Sequence, residues 1–263
     1  MRADANKLTL LGFCFARGSI HTKRTMMLKE LRQLLLCVPE DGAQVEYYYK
    51  IIVEQNCLSK KTFRNRKYSA TYLRNLYGLD PSLLIFRALR FFRRRDQESL
   101  PLLALLCVYA RDGLLRAGFP YIASLKHAER VEKDVYEAEI ERQFPGRFNE
   151  VMLHSLVRNL LSTWTQSGHL AGYAGKIRSR PRPSAGSAAY AMLLGYCQGA
   201  RGAGLFESEF AGILECPRNE LIVLLEEAAG RGMLIFKRIG NVVEVNFPEL
   251  LTRQDLEVLH EQC

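Results

Sequence analysis

The chain has 263 residues, of which 48% are hydrophobic and 25% charged, so it is long enough for two or three domains with ample core and has the charge content of a soluble globular protein. A formal net charge of +9 and a pI near 9.3 favour a nucleic-acid or other anionic partner. The longest apolar run, Leu100 to Ala110, is about half of the roughly 20 residues that a bilayer requires, which argues against a membrane span.

Leu8 to Ala16 reads as a first strand or helix turn packed on the body, without the small-residue cleavage site of a signal peptide. From Thr25, the residues Met27, Leu28, Leu31, Leu34, Leu35 and Val38 recur at helical steps until Pro39, and Glu40-Asp41-Gly42 reads as a turn. Val45, Tyr48, Tyr49, Ile52 and Val53 mark a second amphipathic helix closed by Asn56. Ser59 stands where an N-cap for a third helix would be, so a helix-turn-helix-like arrangement is expected.

The stretch from Ser59 to Arg95 holds the basicity: eleven Lys and Arg against Asp80 alone, +10 locally, so the rest of the chain sums to about −1. On a helix, Lys60, Arg64, Lys67, Thr71 and Arg74 fall within about ±40° of one line, while Leu58, Ala70, Leu73, Leu76 and Tyr77 gather opposite. One face can pack on a core and the other can meet a polyanion. The bland reading is a helical bundle with a solvated basic face. Lys61 is a further phosphate candidate, Asn65 and Thr71 are the side chains suited to base edges, and Arg66 points to the apolar side.

After the Gly78 stop, Asp80-Pro81 is expected to start a helix whose Arg87, Arg90 and Arg94 line one face, with the acids of Glu129 to Glu141 as their expected partners. Ser99-Leu100-Pro101 opens a nearly all-apolar helix to about Arg116, broken at Gly118 to Pro120. Residues 121 to 144 read as polar helices with Val131, Val135, Ile140 and Phe144 inward, and Val151 to Trp164 as a strong helix.

The run Lys176, Arg178, Arg180 and Arg182, interleaved with Pro181 and Pro183, reads as a basic linker over 176–186, an extended arm for a phosphate backbone between a helical domain, 1–175, and a second domain, 187–263. The second domain shows helices over Ala188 to Gln198, Leu205 to Glu215 and Pro217 to Arg231. Strands follow over Met233 to Lys237 and Val242 to Phe247, flanking Gly240-Asn241, which is the winged-helix order. Its third helix carries Glu220, Glu226 and Glu227 against Arg218 and Arg231, so a docking or dimerising role suits it better than groove reading. Lys237 and Arg238 are its phosphate candidates. The fold class expected is therefore mainly α, with a β-hairpin near the C-terminal end.

No catalytic constellation, cofactor site or metal site is expected. The histidines lack zinc-ligand spacing, and the seven cysteines form no C-x-x-C pair, which suits a reducing cytoplasm. Gly199-x-x-Gly202-x-Gly204 has no following Lys-Ser or Lys-Thr and no preceding strand. His127-Ala128-Glu129-Arg130 is a short H-x-x-R match on an acidic stretch. Ser167 and His169 suggest a nucleophile and base, but with no third orienting group they read as a helix-ending turn.

Asn56-Cys57-Leu58-Ser59-Lys60-Lys61-Thr62, the basic helix ending Leu76-Tyr77-Gly78-Leu79, and Pro101-Leu102-Leu103-Ala104-Leu105-Leu106 resemble the BrxA-like proteins of bacterial BREX phage-defence systems, over roughly residues 25–170. The resemblance implies a helical, NusB-like fold and non-enzymatic nucleic-acid binding; the region after Arg182 goes beyond the short family members. The expectation is a cytoplasmic accessory subunit that binds DNA, duplex foremost, alongside other defence proteins. Homodimerisation is left open, and the alternatives are a protein-interaction scaffold or an RNA-binding protein.

Overall fold

The computed structural model describes residues 5–15, 18–38, 44–173, 175–240 and 242–260, with His260 described by its backbone alone. The expected Glu40-Asp41-Gly42 turn, the Pro39 stop and Asn241 lie outside these residues. The chain is mainly helical. It begins with α1 (Ala5–Leu10), α2 (Leu28–Cys37), α3 (Val45–Val53) and α4 (Phe63–Tyr77), where α2 packs on α3 and α3 on α4. Next come α5 (Leu84–Arg95), α6 (Leu100–Arg111), α7 (Gly113–Ser124), α8 (Lys133–Gln143) and α9 (Glu150–Gln166). Strands β1 (Leu170–Ala171) and β2 (Ile177–Arg178) pair antiparallel, Leu170 opposite Arg178. Then follow α10 (Ala185–Cys197), α11 (Glu209–Gly212), α12 (Arg218–Gly230), the antiparallel hairpin β3 (Ile235–Ile239) and β4 (Val242–Asn246), and α13 (Arg253–His260). No helix among the described residues is long and apolar enough to cross a membrane.

Two helices are apolar on every side and therefore have to be enclosed. Every residue of α6 from Leu102 to Ala110 is buried, and in α10 every residue except Tyr196. They pack on one another and on α5, and α10 also receives α11 and α12. Tyr190, Met192, Leu193 and Leu194 of α10 are fully buried, and each such side chain contributes about 1.5–3 kcal/mol. Their sum is comparable to the ~5–15 kcal/mol stability of a whole domain, so the C-terminal third is held as part of the same body. Polar contacts agree: the Tyr190 hydroxyl donates to Ile85 O at 2.9 Å, Gly186 N–H to Asp96 Oδ2 at 2.8 Å, and Arg87 pairs with Asp255 of α13.

This corrects the expected division. One contiguous core runs from Leu8 to Leu259. The supposed linker is structured: Ile177–Arg178 is strand β2, paired with β1 on one side and bridged to Arg130 on the other. Ser184 then stands at the N-cap of α10, its backbone N–H donating to Ser187 Oγ at 2.8 Å. Alternating charge made this stretch look like solvated chain, but alternation is also what a strand needs to turn every second residue inward.

Other boundaries moved for local reasons. Asp80 accepts from the Ser82 N–H and hydroxyl, closing a turn, so α5 starts at Leu84. The long apolar helix stops at Arg111 because the Asp112 carboxylate caps a new one, accepting from Leu114 N and Leu115 N. Gly118 and Pro120 lie inside that helix, α7. On α8 the expected Ile140 is fully buried, Val135 is 53% exposed, and the other fully buried side chain is Tyr136. Gly118 makes room for it: a Cβ there would overlap the Tyr136 hydroxyl and stand 3.0 Å from its Cζ. The expected Leu205 to Glu215 helix is a 3-10 turn over Gly202–Glu207 and the single turn α11, separated at Ser208, which caps Ala211 N. Among the cysteines, Cys107 and Cys197 are buried, with thiols pushed up to about 11 and about 12 by burial, whereas Cys37 is exposed.

Candidate nucleic-acid interface

Helix α4 begins one turn later than Ser59 would place it. Asn56 and Ser59 both adopt left-handed backbone, φ 53° and 52°, and Asn56 Oδ1 accepts from Lys60 N at 2.8 Å. No α-helix continues through such positions. Thr62 is the N-cap instead, its hydroxyl accepting from Asn65 N at 3.2 Å, and Gly78, φ 87°, closes the C-terminal end by donating to Arg74 O. The connection from Val53 to Phe63 is thus longer than the roughly 3–4-residue turn of a helix-turn-helix.

Within α4, Ser69, Ala70, Leu73, Leu76 and Tyr77 are buried. Arg64, Lys67, Thr71 and Arg74 are exposed along the opposite line, with Lys61 exposed just before the helix. Among the described residues no carboxylate pairs with Lys61, Arg64, Lys67 or Arg74. Lys60 does not belong to this free row: its Nζ pairs with Glu30 Oε1 of α2 at 2.8 Å. Arg66 reaches inward, Nη1 donating to Val53 O at 3.4 Å, where a cation suits the end carbonyls and dipole of α3. Asn65 is exposed, and the Thr71 hydroxyl donates to Lys67 O at 3.0 Å.

The row is interleaved with aromatic rings that sequence reasoning passed over. Phe63 and Tyr68 are 56% and 41% exposed. Lys67 Nζ stands 4.7 Å from the Phe63 ring centre and Arg64 Cζ 5.4 Å from that of Tyr68, whose hydroxyl also accepts from Arg64 Nε at 3.1 Å. Tyr68 stacks on Tyr72, and Arg24 lies over Tyr72. The signal was present as spacing: each pair, Phe63 and Lys67, Arg64 and Tyr68, Tyr68 and Tyr72, is four residues apart and so adjacent on a helix. Thr71 and Arg74 also border a groove of about 910 Å³ between α3 and α4, lined as well by Glu46, Lys50 and Glu54.

The remaining expected residues are dispersed. On α5, Arg90 is half-buried over the Tyr48 ring at 6.0 Å and Arg94 is exposed. The acid for Arg87 is Asp255, not one from Glu129 to Glu141. In the 176–182 stretch, Lys176 Nζ donates to Gly172 O at 2.6 Å, and burial with nearby Lys133 lowers its pKa. Arg178 is a correction: it is 6% exposed, donates to His169 O at 2.9 Å and pairs with Glu215, so it cannot lie along a phosphate backbone as part of a free arm. Arg180 and Arg182 are exposed. Lys237 and Arg238 are exposed on β3, Lys237 opposite Glu244.

The histidine clusters are internal joints. Ser167 and His169 are 2.9 Å apart, but both are buried, and His169 Nε2 donates to Ile213 O at 2.8 Å. Burial pushes the His169 imidazole down to about 4, which keeps it neutral near pH 7. His21, also buried, binds Asp112 through Nδ1 at 2.8 Å and lies 3.0 Å from Thr163 Oγ1 through Nε2. Burial acts to raise the Asp112 pKa, but His21, Ser19 and the Leu115 N–H together hold it below the usual carboxylate value.

No protein-family model matches the chain, and no curated protein matches it.

Proposed function

We propose that the protein binds nucleic acid, duplex DNA foremost, through the outward face of α4, and serves as an accessory subunit of a phage-defence system of the BREX type without chemistry of its own. The observation that carries the reading is the one-sided row Lys61, Arg64, Lys67 and Arg74, exposed and without carboxylate partners among the described residues. Arg64, Lys67 and Arg74, in a line at helical spacing with Lys61 just before the helix, attract a phosphate backbone and release its counterions on binding. Asn65 and Thr71 stand beside them for base edges. The resemblance of residues 25–170 to BrxA-like proteins supplies the defence context. We read the stretch of α10, α11, α12 and the hairpin as a winged-helix-like protein-docking module, a reading supported by the acids Glu220, Glu226 and Glu227 on α12.

A second reading, single-stranded nucleic acid or RNA, is favoured by exposed Phe63 and Tyr68, since aromatic side chains stack on unpaired bases. Competition among duplex DNA, single-stranded DNA and RNA in an electrophoretic shift assay separates the two. Duplex winning supports the first reading, either single strand winning supports the second, and binding of none, with one protein captured through nuclease treatment, replaces both with a scaffold.

A further inference from the structure

A cleft of about 810 Å³ opens far along the chain from α4, between the segment after α7, strand β2 and the start of α12. Four Lys and Arg line it, Lys126, Arg178, Arg180 and Arg218, against two acids, Glu207 and Glu215. Their placement follows from the backbone. Strand β2 is held on both sides: Ala128 N–H donates to Arg178 O at 2.9 Å and Arg178 N–H to Glu129 O at 2.7 Å, which brings Lys126 alongside. Arg178 points inward and neutralises Glu215. Arg180, two residues on and just past the end of β2, is exposed and lines the same cleft. Arg218 comes from the first turn of α12 and rests over the Phe206 ring at 4.9 Å, which leaves its guanidinium edges open.

With Glu215 engaged by Arg178 and also within electrostatic reach of Arg180, three cations, Lys126, Arg180 and Arg218, face one remaining acid, Glu207. All three are exposed, and none is paired with a carboxylate among the described residues. Three unpaired cations from separate segments converging on one concave surface attract an anion more strongly than the same charges spread over a convex face, because the low-dielectric walls focus the field. Guanidinium groups match the oxygen geometry of a phosphate group.

We infer that this cleft is a phosphate-binding site, with Lys126, Arg180 and Arg218 as its donors. Its occupant is a backbone phosphate of the bound nucleic acid or a free phosphate compound. The first source rests on the function proposed above; the second does not.

The test uses the full chain and the double variant Arg180→Ala, Arg218→Ala, with inorganic pyrophosphate in calorimetry and a short DNA duplex in fluorescence anisotropy as probes. Both positions are exposed, and matching melting temperatures verify the fold. The expected result is that the variant no longer binds pyrophosphate, or that its duplex salt dependence becomes shallower by about 0.9 in slope for each phosphate it no longer neutralises. A defect with pyrophosphate alone assigns the site to free phosphate compounds, and a defect with duplex alone assigns it to the backbone. Wild-type affinity of the variant for both probes, or binding of neither probe by the wild type, overturns the site. The α4 reading fails separately, if alanines at Arg64, Lys67 and Arg74 leave duplex binding unchanged.

Discussion

Replacing Arg64, Lys67 and Arg74 together by alanine should flatten the salt dependence of duplex binding while leaving the fold intact. All three side chains are exposed and lack carboxylate partners among the described residues, so their removal strands no buried charge. The triple variant gives up two exposed cation–π pairs, Lys67 with Phe63 and Arg64 with Tyr68, each contributing about 0.5–1 kcal/mol. If each residue neutralises one phosphate, the slope of log K against log salt becomes shallower by ~0.9 per residue, about 2.7 in all. Between about 50 and about 200 mM salt, that difference amounts to roughly 40-fold in affinity. Lys60→Ala is the internal control: its ammonium is engaged by Glu30, so it should change the slope by less than any of the three. Fluorescence anisotropy at several salt concentrations reads both. A triple variant with the wild-type slope, or a wild type with no slope, refutes the electrostatic reasoning.

Three further outcomes probe the scaffold. Gly118→Ala should destabilise the protein by about 1–3 kcal/mol in chemical denaturation despite the higher helix propensity of alanine, because the methyl group displaces the Tyr136 ring and its bond from Trp164 Nε1; an unchanged midpoint would show that α7 and α8 can part freely. Asp112→Ala removes the cap of α7 and leaves the buried His21 Nδ1 without its partner, a destabilisation of about 2–4 kcal/mol from the lost cap and the stranded polar group together; an effect under ~1 kcal/mol would mean the network is dispensable. For His169, the imidazole stays neutral when folded down to about pH 4 but takes up a proton near its ordinary 6.5 when unfolded. The unfolded state therefore binds more protons in that window, and stability falls by roughly 3 kcal/mol from pH 6.5 to 4. His169→Gln should show a flatter profile between those values, and a profile as steep as the wild type's would assign the acid sensitivity elsewhere.

Much of the helical framework was legible because its cause is local. The apolar steps of α2, α3, α9 and α12 follow from periodicity, Gly78 from the C-cap it supplies, and the hairpin from alternation on either side of a turn. Periodicity failed where a side chain from a distant element intervened. The phase of α8 is set by Tyr136 because Gly118 of α7 leaves a space that fits its ring, and a reading by periodicity, which favours Val135, has no access to that space. The apolar run through Arg116 looked like one helix, yet Asp112, held by Ser19 and His21 from early in the chain, divides it.

The candidate interface divides in the same way. The sequence by itself determined that nearly all the net charge lies between Ser59 and Arg95 and that Arg64, Lys67 and Arg74 share one side of a helix, because both depend only on composition and a fixed rotation per residue. Only the tertiary structure decided which cations stay available. Lys60 is engaged by Glu30, Arg66 by the end of α3, and Arg178 by Glu215, while Lys126, Arg180 and Arg218 meet in a cleft. Ion pairing and burial depend on which groups are neighbours in space, and the chain brings those neighbours together only when it packs.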